Sequence, residues 1–462
     1  PHGLRLRSLD SVIIETIRSK IKKVVLRKGD NLLLFMSSNQ YKKPNYLHSS
    51  SPYYLVIPIF FRNFVTTVTV TTVTKHNVYM KFYNRTNELA ELQRIQDLSF
   101  TDHSRLTVVT GRRRIGKTSL IMKAVEETPT VYLFVGRKNE ATLCTEFIPM
   151  ITQSLNIYVP DGIKTFRSLF QFLMEQATTK TFNLVIDEFQ EFYNIRPDVF
   201  SDMQNLWDEY RQETKINLVI SGSVYSLMQK IFTDHGEPLF GRADNILCLR
   251  PFNTKVLKQI MEDFAPGYSN DDLLALYTLT GGIPKYVELF CDNQALTIDK
   301  MYDFVFSENS LFIDEGRNLL ITEFGKNYGT YFSILSEIAN GHYTQGEIES
   351  ALGGTAIGGY LSKLENVYNL ITRERPIFAK PGTKKNVRYV IGDNFLNFWF
   401  KYIEQNRSYI ELQNFDDLRQ LAKADYPTYS GRVLEKYFKQ KLAETGGFKE
   451  IGSWWETKSS IG

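Results

Sequence analysis

Eight consecutive residues, Gly111-Arg112-Arg113-Arg114-Ile115-Gly116-Lys117-Thr118, have the types and spacing of a loop that wraps phosphate. Its two glycines let the backbone curl until N–H groups point at phosphate oxygens. A helix opening on the loop adds its positive end to that field. Lys117 can then reach the β- and γ-phosphates of a nucleotide, and the Thr118 hydroxyl can ligate Mg²⁺. Such a pattern also arises by chance as a Gly/Lys-rich turn, so its flanks matter.

The second constellation is Leu184-Val-Ile-Asp187-Glu188, an apolar run ending in two carboxylates. In a parallel sheet, ligands sit beyond the carboxyl ends of the strands. Asp187 there can orient Mg²⁺ or its waters, and Glu188 can polarise a water for attack on the γ-phosphate. A solvated strand edge is the ordinary alternative for such a pair. The next apolar run ends in Ser221-Gly222-Ser223. Ser221 is either a γ-phosphate sensor or a simple turn serine. Arg242, in Leu239-Phe-Gly-Arg242, is either a solvated loop residue or an arginine finger acting in cis or from a neighbouring subunit.

These residues need a scaffold, and the flanks supply one. Arg105–Thr110 (RLTVVT) is a β-rich run before the loop, and Leu120, Ile121, Ala124 and Val125 repeat at helical spacing after it. Further apolar runs at Val131–Val135, Phe182–Asp187, Ile216–Ser221 and Asn245–Leu249 alternate with helical segments. That alternation predicts an α/β fold around a parallel sheet. From Phe252 the pattern turns helical, with a break at Gly281-Gly282. Residues 331–392 read as three helices, the third over Ala356–Leu370, and a hairpin, the pattern of a winged helix. Asn394–Gly462 is helical and aromatic-rich.

Length and composition fit an ordinary globular chain of about three domains. The 462 residues are 43% hydrophobic and 23% charged. Cys144, Cys248 and Cys291 lie far apart with no metal-ligand spacing, which argues for a reducing cytoplasm and against a disulfide framework. The longest apolar stretch, Tyr53–Phe61, is too short to span a bilayer. The net charge of +4 belongs to one end: residues 1–79 hold 12 Lys/Arg against 3 Asp/Glu, the remainder 43 against 48. The pI is therefore no sign that the main body binds nucleic acid. With its Val/Thr repeat over residues 65–74, the segment 1–79 reads as a poorly ordered basic extension preceding a native start at Met80. A basic arm for nucleic acid or membrane is the alternative.

Taken together, Phe82-x-x-Arg85-x-x-Glu88-Leu89, Gly111–Thr118, Leu184-VIDEFQ190, Ser221-Gly-Ser223, Pro238-Leu-Phe-Gly-Arg242 and Gly281-Gly-Ile-Pro284-Lys285 resemble the AAA+/STAND-like archaeal ATPase family over about residues 80–462. The resemblance implies a P-loop NTPase of the AAA+/ASCE type at 80–250, a helical lid at 251–325, a winged helix at 326–393 and a partial α/β, restriction-endonuclease-like domain at 394–462. It implies that Arg85 and Pro284 flank adenine and that Lys285 is a second sensor. The endonuclease carboxylates expected after Trp454-Trp455 have no counterpart before Gly462.

The winged helix has a weak electrostatic footprint for DNA on its third helix, with Lys363 and Glu365 only. Its hairpin is stronger, with Lys384, Lys385 and Arg388 among six cations against Glu374. DNA contact and a protein-interaction module, self-association included, both fit. The expected chemistry is ATP hydrolysis with Mg²⁺ by a switch or motor. Gly111 to Ser119 bind the nucleotide, Thr118 and Asp187 hold the metal, and Lys117, Glu188, Ser221 and Arg242 act on the phosphate. The alternatives are a nucleotide-gated DNA-binding or interaction protein with little turnover, or a nuclease effector. Transfer to a small acceptor fits less well, because Glu188 is placed for water.

Overall fold

A computed structural model gives the architecture. It describes four strands within residues 24–71, and residues 82–325, 328–377 and 387–455. The chain forms two units, Pro1–Asn77 and Val78–Gly462. In the first, β1 (Val24–Arg27) pairs with β2 (Leu33–Met36), and β3 (Tyr54–Phe61) with β4 (Phe64–Thr71), both antiparallel. The expectation of poor order over residues 1–79 otherwise lies outside the described residues.

The second unit is built on five parallel strands: β5 (Arg105–Thr110), β6 (Thr130–Phe134), β7 (Phe182–Asp187), β8 (Ile216–Ser221) and β9 (Asn245–Cys248). Their order across the sheet is β6-β7-β8-β5-β9. β7 and β8 are buried along their whole length, which is why they read as unbroken apolar runs. Alternate residues serve different cores. Leu184, Ile186, Leu218 and Ile220 pack with one set of helices, among them Glu140–Leu155, Phe166–Gln176 and Asp198–Tyr210. Val185 and Val219 face the other side, towards Lys117–Ala124 and the helices beyond Phe252. The strand order places β8 between β5 and β7. The carboxyl ends of these three strands therefore define one crevice, where the order reverses.

Thr254–Phe264, Asn270–Thr280, Pro284–Asp292, Ile298–Val305 and Phe312–Phe324 follow as helices. Local chemistry sets their starts. Asn253 caps the first, and Ser269 and Asp272 form a reciprocal capping box on the second. Pro284 sits in the first turn of the third, where its missing N–H costs nothing. Three more helices, Tyr328–Asn340, Gln345–Ala351 and Gly358–Asn366, precede a hairpin of β10 (Ile371–Glu374) and β11 (Arg388–Ile391). The last long helix is Phe415–Thr445. Among the described residues, 394–455 contain no strand, so the α/β character expected there is not seen. All these helices share one hydrophobic cluster with one face of the sheet, from Leu120 through Tyr286 and Trp399 to Val433.

Candidate functional site

The loop after β5 takes the backbone path its glycines foreshadow. Gly111 has φ +140°, and a Cβ there would stand 2.9 Å from the Leu249 carbonyl. Gly116 has φ +88° and opens the helix Lys117–Ala124. A side chain at either position would strain the curl that exposes the loop N–H groups. The Lys117 ammonium donates to the carbonyls of Gly111 at 2.9 Å and Arg112 at 3.1 Å. Burial lowers its pKa, and the nearby carboxylates of Glu188 and Asp187 oppose that shift.

Asp187 ends β7 as the centre of a hydrogen-bond set. Its Oδ2 accepts from the Thr118 hydroxyl at 2.7 Å and the Tyr132 hydroxyl at 2.8 Å. Its Oδ1 accepts from Ser221 and from the Glu188 N–H at 2.9 Å. Burial alone would raise its pKa, but these donors outweigh burial and hold the carboxyl below the usual carboxylate range. Glu188 follows with φ +54°, at the point where the chain leaves the sheet. Its Oε2 accepts from Ser223 at 2.7 Å and Gln190 at 2.5 Å.

One cavity of about 500 Å³ is lined by Arg85, Arg113, Gly116, Lys117, Thr118 and Asp187, and further by Glu188, Ser223, Phe252 and Pro284. That is the size of a nucleotide-class ligand site. Its donor set suits Mg²⁺: a hydroxyl, a carboxylate held ionised, and room for phosphate oxygens. Among the described residues no three acidic, His or Cys side chains are grouped so as to hold a metal ion, and Mg²⁺ bound with substrate phosphates needs none.

A family profile described as an ATPase domain predominantly from Archaea matches residues 82–290. A second, for archaeal and bacterial proteins of unknown function, matches residues 399–462. An uncharacterized protein of Methanocaldococcus jannaschii is 31% identical over 393 residues, covering 82% of this chain and 83% of its own. This chain belongs to the archaeal-type ATPase family. A solved Walker-type ATPase of Pyrococcus abyssi superposes with a TM-score of 0.52 at 19% identity, covering 69% of this chain and 96% of that one. The fold of the chain is thus the α/β P-loop fold expected from the sequence.

The structure brings most of the expected site residues together but leaves four outside the cavity lining: Gly111, Arg112, Ser221 and Arg242. Ser221 is fully buried and reaches Asp187, not the cavity. Its neighbour Ser223 lines the cavity instead. Gly222 between them has no room for a side chain, since a Cβ would meet Gln190 Oε1 at 2.3 Å and Met228 at 2.4 Å. Arg242 pairs with Asp208 at 2.9 Å and donates to the Phe240 carbonyl, away from the cavity lining. Arg85 and Pro284 do line it, with Arg85 anchored to the carbonyls of Arg250 at 2.7 Å and Ile115 at 3.4 Å. Lys285 also lines it, and its ammonium pairs with Glu288 at 2.8 Å.

The loop arginines divide their partners. Arg113 is exposed in the cavity. Arg112 pairs with Asp393, and Arg114 Nε lies 2.8 Å from Glu315 Oε1. Glu315 also accepts from the Tyr286 hydroxyl at 2.9 Å. Sequence reasoning missed Tyr132, Gln190, Glu315 and Asp393. Only Gln190, two residues beyond Glu188 in a quoted motif, carried any local signal.

Of the hairpin cations, Lys384 and Lys385 lie outside the described residues. Arg373 pairs with Glu365 of the preceding helix. No helix among the described residues is long and apolar enough to cross a membrane.

Proposed function

We propose that this protein binds ATP with Mg²⁺ and hydrolyses it as a molecular switch or motor coupled to a winged-helix module, residues 326–393. One observation carries the reading: Lys117, Thr118, Asp187 and Glu188 line a single cavity, and Thr118 and Asp187 touch. In it, Lys117 leaves the loop carbonyls for the β- and γ-phosphates, and the N–H groups of Gly111 to Ser119 hold the remaining oxygens. Arg85 and Pro284 flank the base. Thr118 and Asp187 would hold Mg²⁺, which neutralises charge on the β- and γ-oxygens. Glu188, oriented by Ser223 and Gln190, takes a proton from the attacking water. Ser221 acts through Asp187.

A second reading keeps the nucleotide and drops the turnover: a nucleotide-gated DNA-binding or protein-interaction protein. Arg242 favours it, because a guanidinium paired with Asp208 supplies nothing to the transition state in cis. Self-association that brings an arginine from a neighbouring copy would restore the first reading. Steady-state hydrolysis by wild type, Lys117→Ala and Glu188→Gln, with and without DNA, separates the two. Hydrolysis lost in Lys117→Ala with its ATP affinity, and slowed ~100-fold in Glu188→Gln with affinity kept, supports the ATPase. Tight ATP binding with no turnover under any condition overturns it.

A further inference from the structure

A second cleft, of about 390 Å³, opens between the β10–β11 hairpin and the helix Phe415–Thr445. Four cations line it: Arg388, Arg432, Lys436 and Lys439. Lys439 is neutralised, 3.2 Å from Glu435 and 3.5 Å from Glu374. The other three have no carboxylate within ion-pair distance among the described residues. Lys436 donates instead to neutral acceptors, the Gly392 carbonyl and Asn394 Oδ1 at 2.7 Å. Arg432 donates to the Tyr343 hydroxyl and lies 5.1 Å from its ring centre. Arg388 stacks 4.4 Å over Trp455.

Burial pushes the pKa of Lys436 down to about 8, with Glu374 opposing that shift and the nearby cations Arg112 and Lys439 adding to it. Such a cluster is stabilised when an anion bridges it, because charge-assisted hydrogen bonds to phosphate oxygens are about twice as strong as neutral ones. The cleft also carries flat apolar surface. Trp454 lines it and is 61% exposed, a large ring with an open face. Cations that can bracket a phosphate beside an exposed indole match a phosphate joined to a planar base.

We infer that this cleft binds a nucleoside monophosphate unit, its phosphate held by Lys436, Arg388 and Arg432 and its base stacked on Trp454. The unit is either a free mononucleotide or the 5′-phosphorylated end of a single strand. The inference is independent of the ATPase reading, because none of these residues lines the Lys117 cavity.

The test uses the full chain carrying Lys117→Ala, which silences the phosphate loop. Calorimetry and tryptophan fluorescence follow titration with thymidine 5′-monophosphate, thymidine, and an oligothymidylate with and without its 5′-phosphate. Saturable, phosphate-dependent binding is expected, ~10-fold weaker in Arg388→Gln and in Lys436→Met, since each removes one charged hydrogen-bond donor. Arg388→Gln matters most if Lys436→Met loses its fold, because Lys436 also holds Gly392 and Asn394. Tighter binding of the phosphorylated strand than of the monophosphate identifies a strand end, and the reverse a free nucleotide. No saturable binding of any probe, or affinities unchanged in both variants and indifferent to the phosphate, overturns the inference.

Discussion

The Thr118 hydroxyl donates to Asp187 Oδ2 across 2.7 Å, joining the phosphate loop to the end of a strand 69 positions away. The contact links a hydroxyl and a carboxylate that together can ligate a hard cation, and with the donors Ser221, Tyr132 and the Glu188 N–H it holds Asp187 ionised despite burial. Asp187→Asn keeps the size and much of the hydrogen bonding while removing the charge. It should leave Mg²⁺-free nucleotide binding nearly intact and abolish most of the tightening that Mg²⁺ gives wild type, at least ~10-fold, read by calorimetry with Mg²⁺ and with EDTA. Because the wild-type carboxyl titrates below the usual range of about 3.9, its Mg²⁺-dependent tightening should persist at about pH 5. A variant that responds to Mg²⁺ like wild type would remove Asp187 from the metal site.

Glu188 leads to a sharper expectation for its neighbour. Ser223 donates to Glu188 Oε2 at 2.7 Å, and both line the cavity. A positioning role predicts that Ser223→Ala lowers kcat ~10-fold with KM for ATP unchanged, a smaller loss than Glu188→Gln causes. Ser221→Ala should act differently. Its hydroxyl is buried on Asp187, so its loss should shift the Mg²⁺ dependence as well as kcat. Steady-state kinetics at varied Mg²⁺ distinguish the two serines, and identical profiles would show that the split is wrong.

What the sequence reveals of this site follows from how local each feature is. The phosphate loop is legible because its chemistry lies within eight residues. β7 and β8 are legible because strands buried on both faces cannot carry polar residues mid-strand except where these pair, as Asn183 does with Asn217 at 2.9 Å. The third helix of residues 326–393 is the instructive error. Leu361, Leu364, Val367 and Leu370 keep helical spacing, yet the helix ends at Asn366. Asn369 turns left-handed at φ +51°, and the Leu370 N–H bonds back to the Leu364 carbonyl at 2.9 Å. That closing turn buries Leu370 anyway, so an apolar periodicity outlives the helix that it suggests. Asp393 and Glu315 were invisible for another reason. Their partners Arg112 and Arg114 lie far away in sequence, and no spacing rule reaches across such distances.

The ion pair of Arg112 with Asp393 ties the phosphate loop to the residue that caps the helix Asn394–Phe398, through Asp393 Oδ1 and the Leu396 N–H at 2.8 Å. Asp393 thus holds a loop arginine and a helix end at once. If ATP reshapes the loop, the pair is a direct contact through which the C-terminal helices feel it. A double-mutant cycle with Arg112→Gln and Asp393→Asn should give a coupling of about 0.5–3 kcal/mol in ATP binding free energy, measured by calorimetry. Additive effects within about 0.5 kcal/mol would show that the contact transmits nothing to the nucleotide.

The cysteines provide a check on the packing of the two cores. Cys248 ends β9 and is exposed, beside Leu249 and Gly111 in a narrow cavity. Cys144 and Cys291 are buried in the two cores, and burial pushes their thiols up to about 11 and about 12, with Glu140 adding to the first and Asp292 to the second. Reaction requires both the thiolate and access, and the two buried thiols lack both. One thiol per chain should therefore react quickly with dithiobis(nitrobenzoate) at neutral pH, and the fast phase should vanish in Cys248→Ser. The other two should react only after denaturation. Two or three fast thiols in the folded chain would mean that the helices carrying Cys144 and Cys291 do not pack against the sheet and its neighbours as described.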